Sequence, residues 1–141
     1  MTALQEKIMA FLNENDVFCR ENGIRLVAIS DDASEAHAEI GPGLMNASNV
    51  VQGGAIFALC DLAFAGIANS GGERTVAQTA SISYLRPGTG KRLRAAGRLI
   101  RRGRRTAVVA VEVTNDAGKL VAVATVTGCP LGIPILPEQQ K

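Results

Sequence analysis

The chain has 141 residues, of which 47% are hydrophobic and 20% are charged, so it is long enough for one domain with a substantial core and short for two. Aromatic residues make up only 4%, which leaves Val, Ile, Leu and Ala to build that core. The three cysteines show no paired or metal-ligand spacing, and the N-terminus carries acids and amides rather than a basic start. Both features are typical of a cytoplasmic protein with reduced thiols and argue against a signal peptide.

The net charge of +2 conceals an uneven distribution. Residues 1–73 carry three Lys or Arg against ten Asp or Glu, whereas residues 74–141 carry twelve against three. Nine of those twelve basic residues lie between Arg86 and Arg105, a span without any acid. Such a block favours an anionic partner (nucleic acid, a membrane surface or a phosphorylated cofactor), although a solvated strand face explains it equally well.

The first third of the chain predicts two helical segments and two strands. Apolar residues recur at helical spacing in 2–13, and residues 16–22 predict another helical turn that Gly23 closes. Two apolar bursts, 24–30 and 36–41, flank an Asp-Asp pair and predict a hairpin-like pair of strands. Residues 41–49 are rich in Gly, Pro, Asn and Ser and predict a loop, with Ser48 or Asn49 placed to cap the next helix.

Residues 53–70 predict a long helix that is apolar on nearly every side, and therefore buried on most sides, before Gly71 and Gly72 end it. A membrane span over 50–68 is rejected because Gln52 and Asp61 interrupt a run rich in Gly and Ala.

Four strands are predicted after this helix, at 75–85, 92–102, 104–115 and 119–128, and the short turns between them favour an antiparallel meander. The expected fold class is α+β: a curved antiparallel sheet wrapped around a long central helix, in one domain over residues 1–141.

Asp61 is the only charged residue between Asn49 and Ser70. A buried carboxylate without a basic partner is unfavourable and either shifts its pKa or finds hydrogen-bond donors. Asp61 therefore either faces water on an otherwise buried helix or has a function.

Two motifs around this helix resemble those of the hotdog-fold thioesterases, and most closely the PaaI-type (phenylacetate-pathway) acyl-CoA thioesterases. The first runs from Asn46 through Gln52-Gly53-Gly54 to Asp61, eight residues after Gly53, and the second is Ser-Tyr-Leu-Arg-Pro-Gly at 83–88. The resemblance covers residues 15–130 and implies a hotdog fold and hydrolysis of an aryl- or medium-chain acyl-CoA. It implies no cofactor, since coenzyme A is part of the substrate. Gln52 stands where the family usually has His, so residue 52 cannot carry a proton here.

Thioester hydrolysis needs a donor pair for the developing oxyanion and a base or nucleophile. The amides of Gly53 and Gly54 open the helix without intrahelical partners and suit the oxyanion, and the side-chain amide of Gln52 can orient the same carbonyl. Asp61 either activates water or attacks the thioester directly to form an anhydride. Asn46 either holds the loop or contacts a bound water.

Binding of the rest of the substrate is expected to involve apolar walls and basic side chains. Candidate wall residues are Leu44, Met45, Phe57 and Phe64, and Thr79 on the following strand is a further candidate contact. Arginines suit the phosphates of coenzyme A, and the candidates are Arg86, Arg101, Arg102, Arg104 and Arg105, with Arg98 behind them. No metal site is expected.

The length of the helix limits how this site can form. Eight residues of helix rise about 12 Å, whereas reacting atoms must lie within about 3–3.5 Å of each other. One helix therefore cannot present both the Gly53 amide and Asp61 to one thioester. The sequence predicts a homodimer in which antiparallel helices from two subunits complete each site, and we expect such dimers to pair into a homotetramer.

Three other functions compete with a thioesterase. A hydratase needs a catalytic His, but the only one, His37, lies in the early strand pair and is expected to face solvent. A non-catalytic acyl-CoA-binding hotdog protein is favoured by Gln52 and disfavoured by Asp61. Nucleic-acid binding through the Arg-rich hairpin is weakened by the scarcity of aromatic residues for base stacking. The expected partner is thus a small acyl-CoA, with no nucleic acid and no membrane.

Overall fold

The structure is a computed structural model and describes residues 1–138. Three helices are α1 (Ala3–Asn15), α2 (Val17–Glu21) and α3 (Gly53–Ala68). Six strands are β1 (Ile24–Ile29), β2 (Ala33–Glu39), β3 (Glu73–Tyr84), β4 (Arg92–Arg102), β5 (Ala107–Thr114) and β6 (Leu120–Pro134). A single 3₁₀ turn, Pro42–Leu44, lies in the loop before α3.

The two N-terminal helices begin at polar caps, as their sequences predict. The Thr2 side chain accepts a hydrogen bond from the Gln5 amide, and the Gln5 side chain accepts one from the Thr2 amide, which together form a capping box. Asp16 caps α2 through the amide of Cys19. Gly23 then turns the chain into β1 with φ of +70°, a conformation that glycine adopts at little cost.

The six strands form one antiparallel sheet in the order β1-β2-β4-β5-β6-β3. The predicted α+β hotdog fold, with a curled sheet around a helix, is confirmed. The predicted meander is wrong in one pairing: β3 pairs with β6 at the far edge of the sheet and not with β4, its neighbour in sequence.

The segment 85–91 explains that pairing, because it crosses the end of the sheet instead of forming a hairpin. The Val51 amide donates to the carbonyl of Gly88 at 2.9 Å, and the Ile40 amide donates to that of Lys91 at 2.8 Å. Strand β6 also runs on to Pro134, beyond the predicted end at 128, and so gives β3 a partner along its whole length.

The other strand bounds differ from the expectations by a few residues. β4 has the predicted bounds, whereas β2 begins at Ala33 and β5 begins at Ala107 rather than 104. The later start of β5 follows from a tight turn in which the Gly103 amide donates to the carbonyl of Thr106.

Helix α3 lies in the concave side of the sheet and forms the centre of the core. Leu59, Ala63 and Ile67 on this helix are fully buried, as are Leu93 and Val109 on the sheet. The cap expected at Ser48 or Asn49 is instead Gln52, because Val51 first forms a β-bridge with Met45 and so delays the helix to Gly53. In residues 1–138, no helix combines the length and apolarity that a bilayer crossing requires.

Candidate active site

The first turn of α3 is held by two side chains. The Gly54 amide donates to Oε1 of Gln52 at 2.5 Å, and the hydroxyl of Tyr84 donates to the carbonyl of Gly53 at 2.9 Å. The Gly53 amide is the first of the helix and has no partner within it. Of the two amides expected to bind an oxyanion, the Gly54 amide is thus occupied by the cap and the Gly53 amide remains available.

A cavity of about 350 Å³ opens beside this helix start. Its walls combine apolar side chains with a few polar groups and include Asn46, Val51, Gly53, Ile56, Tyr84 and Arg86. The two motifs that carry the family resemblance therefore meet at one cavity, since the crossing segment 85–88 forms its far wall.

Asn46 organises the loop that leads into the helix. Its side-chain Oδ1 accepts from the backbone amides of Ser48 and Val50, and its backbone amide donates to the carbonyl of Val50. Asn46 therefore closes the turn with its side chain and is also one of the residues that line the cavity.

Asp61 lies two turns further along α3, on the exposed face of the helix. Within residues 1–138 its carboxylate has no hydrogen bond or ion pair. Its pKa is raised, first because the surrounding protein withdraws water from the carboxyl group and second because the carboxylate of Asp16 lies nearby. Asp61 is thus neither paired among the described residues nor sealed in the core.

The exposed face of α3 is otherwise apolar. Gly54 and Phe57 share it with Asp61, and Phe57 is 39% exposed. Their spacing of three and four residues places them on one stripe of the helix. The remaining faces are buried against the sheet and α1, so this stripe is the single open side of a helix that was predicted to be covered on most sides.

Of the arginines expected to bind phosphate, two donate hydrogen bonds to backbone carbonyls and the others are exposed. Arg102 donates to the carbonyls of Ile67, Ala68 and Asp31, so it caps the C-terminal end of α3. Arg86 donates to the carbonyl of Leu120 beside the cavity. Arg98, Arg101, Arg104 and Arg105 are exposed around the β4–β5 turn. That turn lies at the opposite end of α3 from Gly53 within one subunit.

The remaining candidates fall in different places. Phe64 is 2% exposed and packs against Gly128 inside the core, so it does not line the cavity of this subunit. Thr79 is exposed on β3, paired with Thr127. Leu44 is buried in the core and Met45 is half-buried beside it.

His37 lies on the convex side of the sheet and not in a cleft. Its Nε2 lies 2.7 Å from Oε1 of Glu35, whose other oxygen accepts from Arg94 at 2.6 Å. This ion pair to Arg94 lowers the pKa of Glu35 to about 2. His37 was expected to face solvent; it is instead half-buried in this network. Among the described residues no group of three His, Cys, Asp or Glu side chains is placed to hold a metal ion.

Sequence reasoning missed Tyr84 as a site residue. It appeared only as part of a motif, although it is the single tyrosine of the chain. The available signal was the position of Tyr84 inside the second of the two motifs. Its contact with Gly53 depends on a long-range strand pairing that local sequence patterns do not encode.

Comparison with known proteins places this arrangement in a family. The thioesterase superfamily model matches residues 48–122, which contain Gln52, Asp61 and Tyr84. The acyl-coenzyme A thioesterase PaaI of Escherichia coli is 32% identical over 111 residues, covering 78% of this chain and 79% of that protein.

Solved structures show the same fold. The E. coli PaaI structure, from a phenylacetic acid degradation operon, superposes with a TM-score of 0.88 at 26% identity and covers 93% of this chain and 96% of that one. A Streptococcus mutans protein bound to acetyl-CoA gives 0.74 at 32% identity, covering 79% and 90%. A hypothetical thioesterase of Streptococcus pneumoniae with coenzyme A gives 0.80 at 27% identity, covering 89% and 98%.

Proposed function

The chain belongs to the thioesterase superfamily and is a thioester hydrolase, and we propose that it cleaves acyl-CoA at a site shared by two subunits. One observation carries the proposal: α3 begins beside a cavity with a Gly53 amide that has no helical partner, and two turns later it presents an unpaired Asp61 carboxylate on its exposed face. The PaaI relative is named for acyl-CoA hydrolysis, and two structural neighbours were solved with acetyl-CoA or coenzyme A. The apolar walls of the cavity beside Gly53 favour an aryl- or medium-chain acyl group.

A second copy of the chain completes the site through the edge of the sheet. Strand β3 is an edge strand of 12 residues, and from Val76 to Ser81 every residue is exposed. No charged residue or proline occurs between 75 and 85, so the edge lacks the features that prevent strands from pairing with other chains. Antiparallel pairing of β3 with its copy forms a two-fold dimer and covers this edge.

This pairing also brings the open sides of two helices together. Helix α3 packs against β3 in its own subunit, so the two copies of α3 lie side by side and antiparallel across the two-fold axis. When Asp61 of one subunit lies opposite Gly53 of the other, Phe57 is close to the axis. The apolar stripe is then buried between helices, and the separation of about 12 Å along one helix no longer matters.

Each group then has a role in hydrolysis. The thioester carbonyl oxygen accepts a hydrogen bond from the Gly53 amide, at the positive end of the α3 dipole. The side-chain Nε2 of Gln52 supplies a second donor to the same oxygen. On the general-base route, Asp61 of the other subunit takes a proton from a water molecule as the water attacks the carbonyl carbon, the carbon–sulfur bond breaks, and the proton passes to the leaving thiolate. On the nucleophilic route, Asp61 attacks that carbon itself and the carbon–sulfur bond breaks to leave an anhydride. Water then cleaves the anhydride to the free acid and the Asp61 carboxylate, and the proton released neutralises the thiolate. The raised pKa of Asp61 makes its carboxylate a stronger base than an ordinary aspartate.

The basic β4–β5 turn binds the phosphates of coenzyme A in this arrangement. Antiparallel helices place the C-terminal end of one α3 beyond the N-terminal end of the other. The exposed Arg101, Arg104 and Arg105 of one subunit thus approach the cavity of its partner, where Arg86 already lies. Planar guanidinium groups suit phosphate oxygens.

The test is thiol release from a panel of phenylacetyl-, hydroxybenzoyl-, short- and medium-chain acyl-CoA by the wild type and by Asp61→Ala. We expect hydrolysis by the wild type and a fall in kcat of at least about a hundredfold in the variant, because the base is removed. Equal activity of the two proteins would rule out Asp61 as the catalytic carboxylate. Tight binding without turnover by the wild type would instead favour the second candidate, a non-catalytic acyl-CoA-binding protein, which the presence of Gln52 supports.

A further inference from the structure

The peptide group between Gly53 and Gly54 is held from both sides. On its carbonyl side, Tyr84 donates its hydroxyl to the oxygen of Gly53 at 2.9 Å. On its amide side, the nitrogen of Gly54 donates to Oε1 of Gln52. Three polar groups therefore form one continuous chain: the Tyr84 hydroxyl, the peptide group and the side-chain amide of Gln52.

The two glycines leave room for this arrangement. A β-carbon at Gly53 would lie 3.2 Å from Cζ of the Tyr84 ring, closer than side chains normally approach. A β-carbon at Gly54 would lie 2.6 Å from Oε1 of Gln52, so any side chain there would displace the Gln52 amide. Glycine at 53 and 54 thus lets Tyr84 and Gln52 approach this peptide closely.

The contact with Gly54 fixes the orientation of the Gln52 amide. A backbone N–H can only donate, so the side-chain atom that faces it must be the oxygen. The planar amide group then directs Nε2 away from Gly54, and no described residue accepts a hydrogen bond from it. Hydrogen bonds in a chain polarise one another, so a donor on the Gly53 carbonyl strengthens the Gly54 amide, and in turn the Nε2 protons, as donors.

From this geometry we propose that Tyr84 is a positioning residue for hydrolysis: its hydroxyl fixes and polarises the Gly53–Gly54 peptide so that Gln52 presents Nε2 to the thioester carbonyl. The inference rests on the proposed function and deepens it. Gln52 replaces the His usual in related enzymes, and a side-chain amide has no intrinsic preference between its two ends. Tyr84, held at the end of β3 where Leu85 and Arg86 both donate to the carbonyl of Val121, supplies that preference through the peptide.

The first experiment compares Tyr84→Phe with Thr125→Ala in steady-state hydrolysis of the best acyl-CoA. Tyr84→Phe keeps the ring against Gly53 and removes only the hydroxyl. We expect kcat to fall about three- to tenfold with KM nearly unchanged, in line with the loss of one hydrogen bond. Thr125→Ala removes an exposed hydroxyl from β6, outside the site, and should leave kcat unchanged. An unchanged kcat in Tyr84→Phe would overturn the inference.

The second experiment asks whether Tyr84 acts through Gln52, using the double variant Tyr84→Phe/Gln52→Ala. If it does, the loss of the hydroxyl has no further effect on kcat once the Gln52 amide is gone. Multiplicative losses in the double variant would show that Tyr84 acts independently of Gln52 and would contradict the inference. Failure of the proposed function is distinguishable, because the wild type would then hydrolyse no acyl-CoA or Asp61→Ala would remain active.

Discussion

Asp61 ionises at a disadvantage in the folded protein, because protein atoms displace water around it and Asp16 adds a second negative charge. A raised pKa means that the native state binds the proton more tightly than the unfolded chain does. Its contribution to stability is therefore favourable at low pH and is lost as the pH rises through the native pKa. At neutral pH the ionised carboxylate lowers the free energy of unfolding, a cost that is common for groups kept for function.

This balance predicts that Asp61→Asn is more stable than the wild type at pH 7 and that the difference shrinks as the pH falls and the wild-type carboxyl group becomes protonated. The measurement is urea unfolding at pH 7 and pH 4 at one protein concentration. Glu112→Gln, an exposed carboxylate on the convex side of the sheet, is the matched control and should change stability by less than about 0.5 kcal/mol. A less stable Asp61→Asn at pH 7 would contradict the prediction.

Local sequence patterns pointed to some residues of the candidate site and not to others. Asp61 and Gly53 could be identified because a lone acid in an apolar run and a Gly-Gly helix start are visible locally. The cap at Gln52 could not, since glutamine is not among the preferred caps and its role depends on the bridge between Met45 and Val51. The hydroxyl of Tyr84 reaches Gly53 across 31 positions of sequence, a contact set by tertiary structure alone.

At the scale of elements, α3 depends on its C-terminal end as much as on its start. Arg102, a candidate for phosphate binding from the sequence, donates hydrogen bonds to the carbonyls of Ile67 at 2.8 Å and Ala68 at 3.3 Å. The Ile67 carbonyl also accepts from the Ser70 amide at 3.1 Å. Both carbonyls lie at the negative end of the helix dipole, so a guanidinium group stabilises them.

Arg102→Ala should therefore lower the free energy of unfolding by about 1–2 kcal/mol. Arg105→Ala, which removes an exposed arginine from the same turn, should change stability little and instead raise KM for acyl-CoA, because it removes one of the phosphate contacts that we propose. Urea unfolding and steady-state kinetics of both variants test this division. A destabilised Arg105→Ala together with a wild-type-like Arg102→Ala would reverse the assignment.

The elements themselves were largely predictable, and their pairing was not. Helix α3 follows from an apolar run without breakers, and β4 from alternation between clear turns. The partner of β3 depended on the length of β6 and on a segment, 85–91, that has turn residues but crosses the sheet instead of forming a hairpin. Turn residues indicate where a strand ends, but they do not determine which strand it joins.

At the scale of the whole molecule, the subunit carries two surfaces that are incomplete alone. One is the uncharged edge of β3, and the other is the apolar stripe of α3 around Phe57. In the dimer proposed above, pairing of two copies at β3 would cover both surfaces and bring Asp61 of one copy opposite Gly53 of the other. The proposed dimer thus links a structural requirement to a catalytic one. Pairing of dimers into a tetramer and a cytoplasmic location both stay predictions.

The shared site is tested most directly by complementation between two inactive variants, Asp61→Ala and Gly53→Pro. Proline removes the amide proton of residue 53, is favoured at the first position of a helix, and suits the extended backbone of Gln52 before it. Gly53→Ala, which adds a β-carbon but keeps the amide, is the control and should retain more activity. Asp61→Ala and Gly53→Pro should each be folded and nearly inactive when assayed alone.

Mixing the two variants, with subunit exchange by mild denaturation and refolding, gives heterodimers in which one of the two sites has both intact groups. Random pairing then predicts recovery of about a quarter of wild-type thiol release, since half of the dimers are mixed and each carries one complete site. Recovery at that level would establish that Gly53 and Asp61 of different subunits act on one thioester. If the variants exchange subunits but the mixture stays inactive, the two groups do not form a shared site.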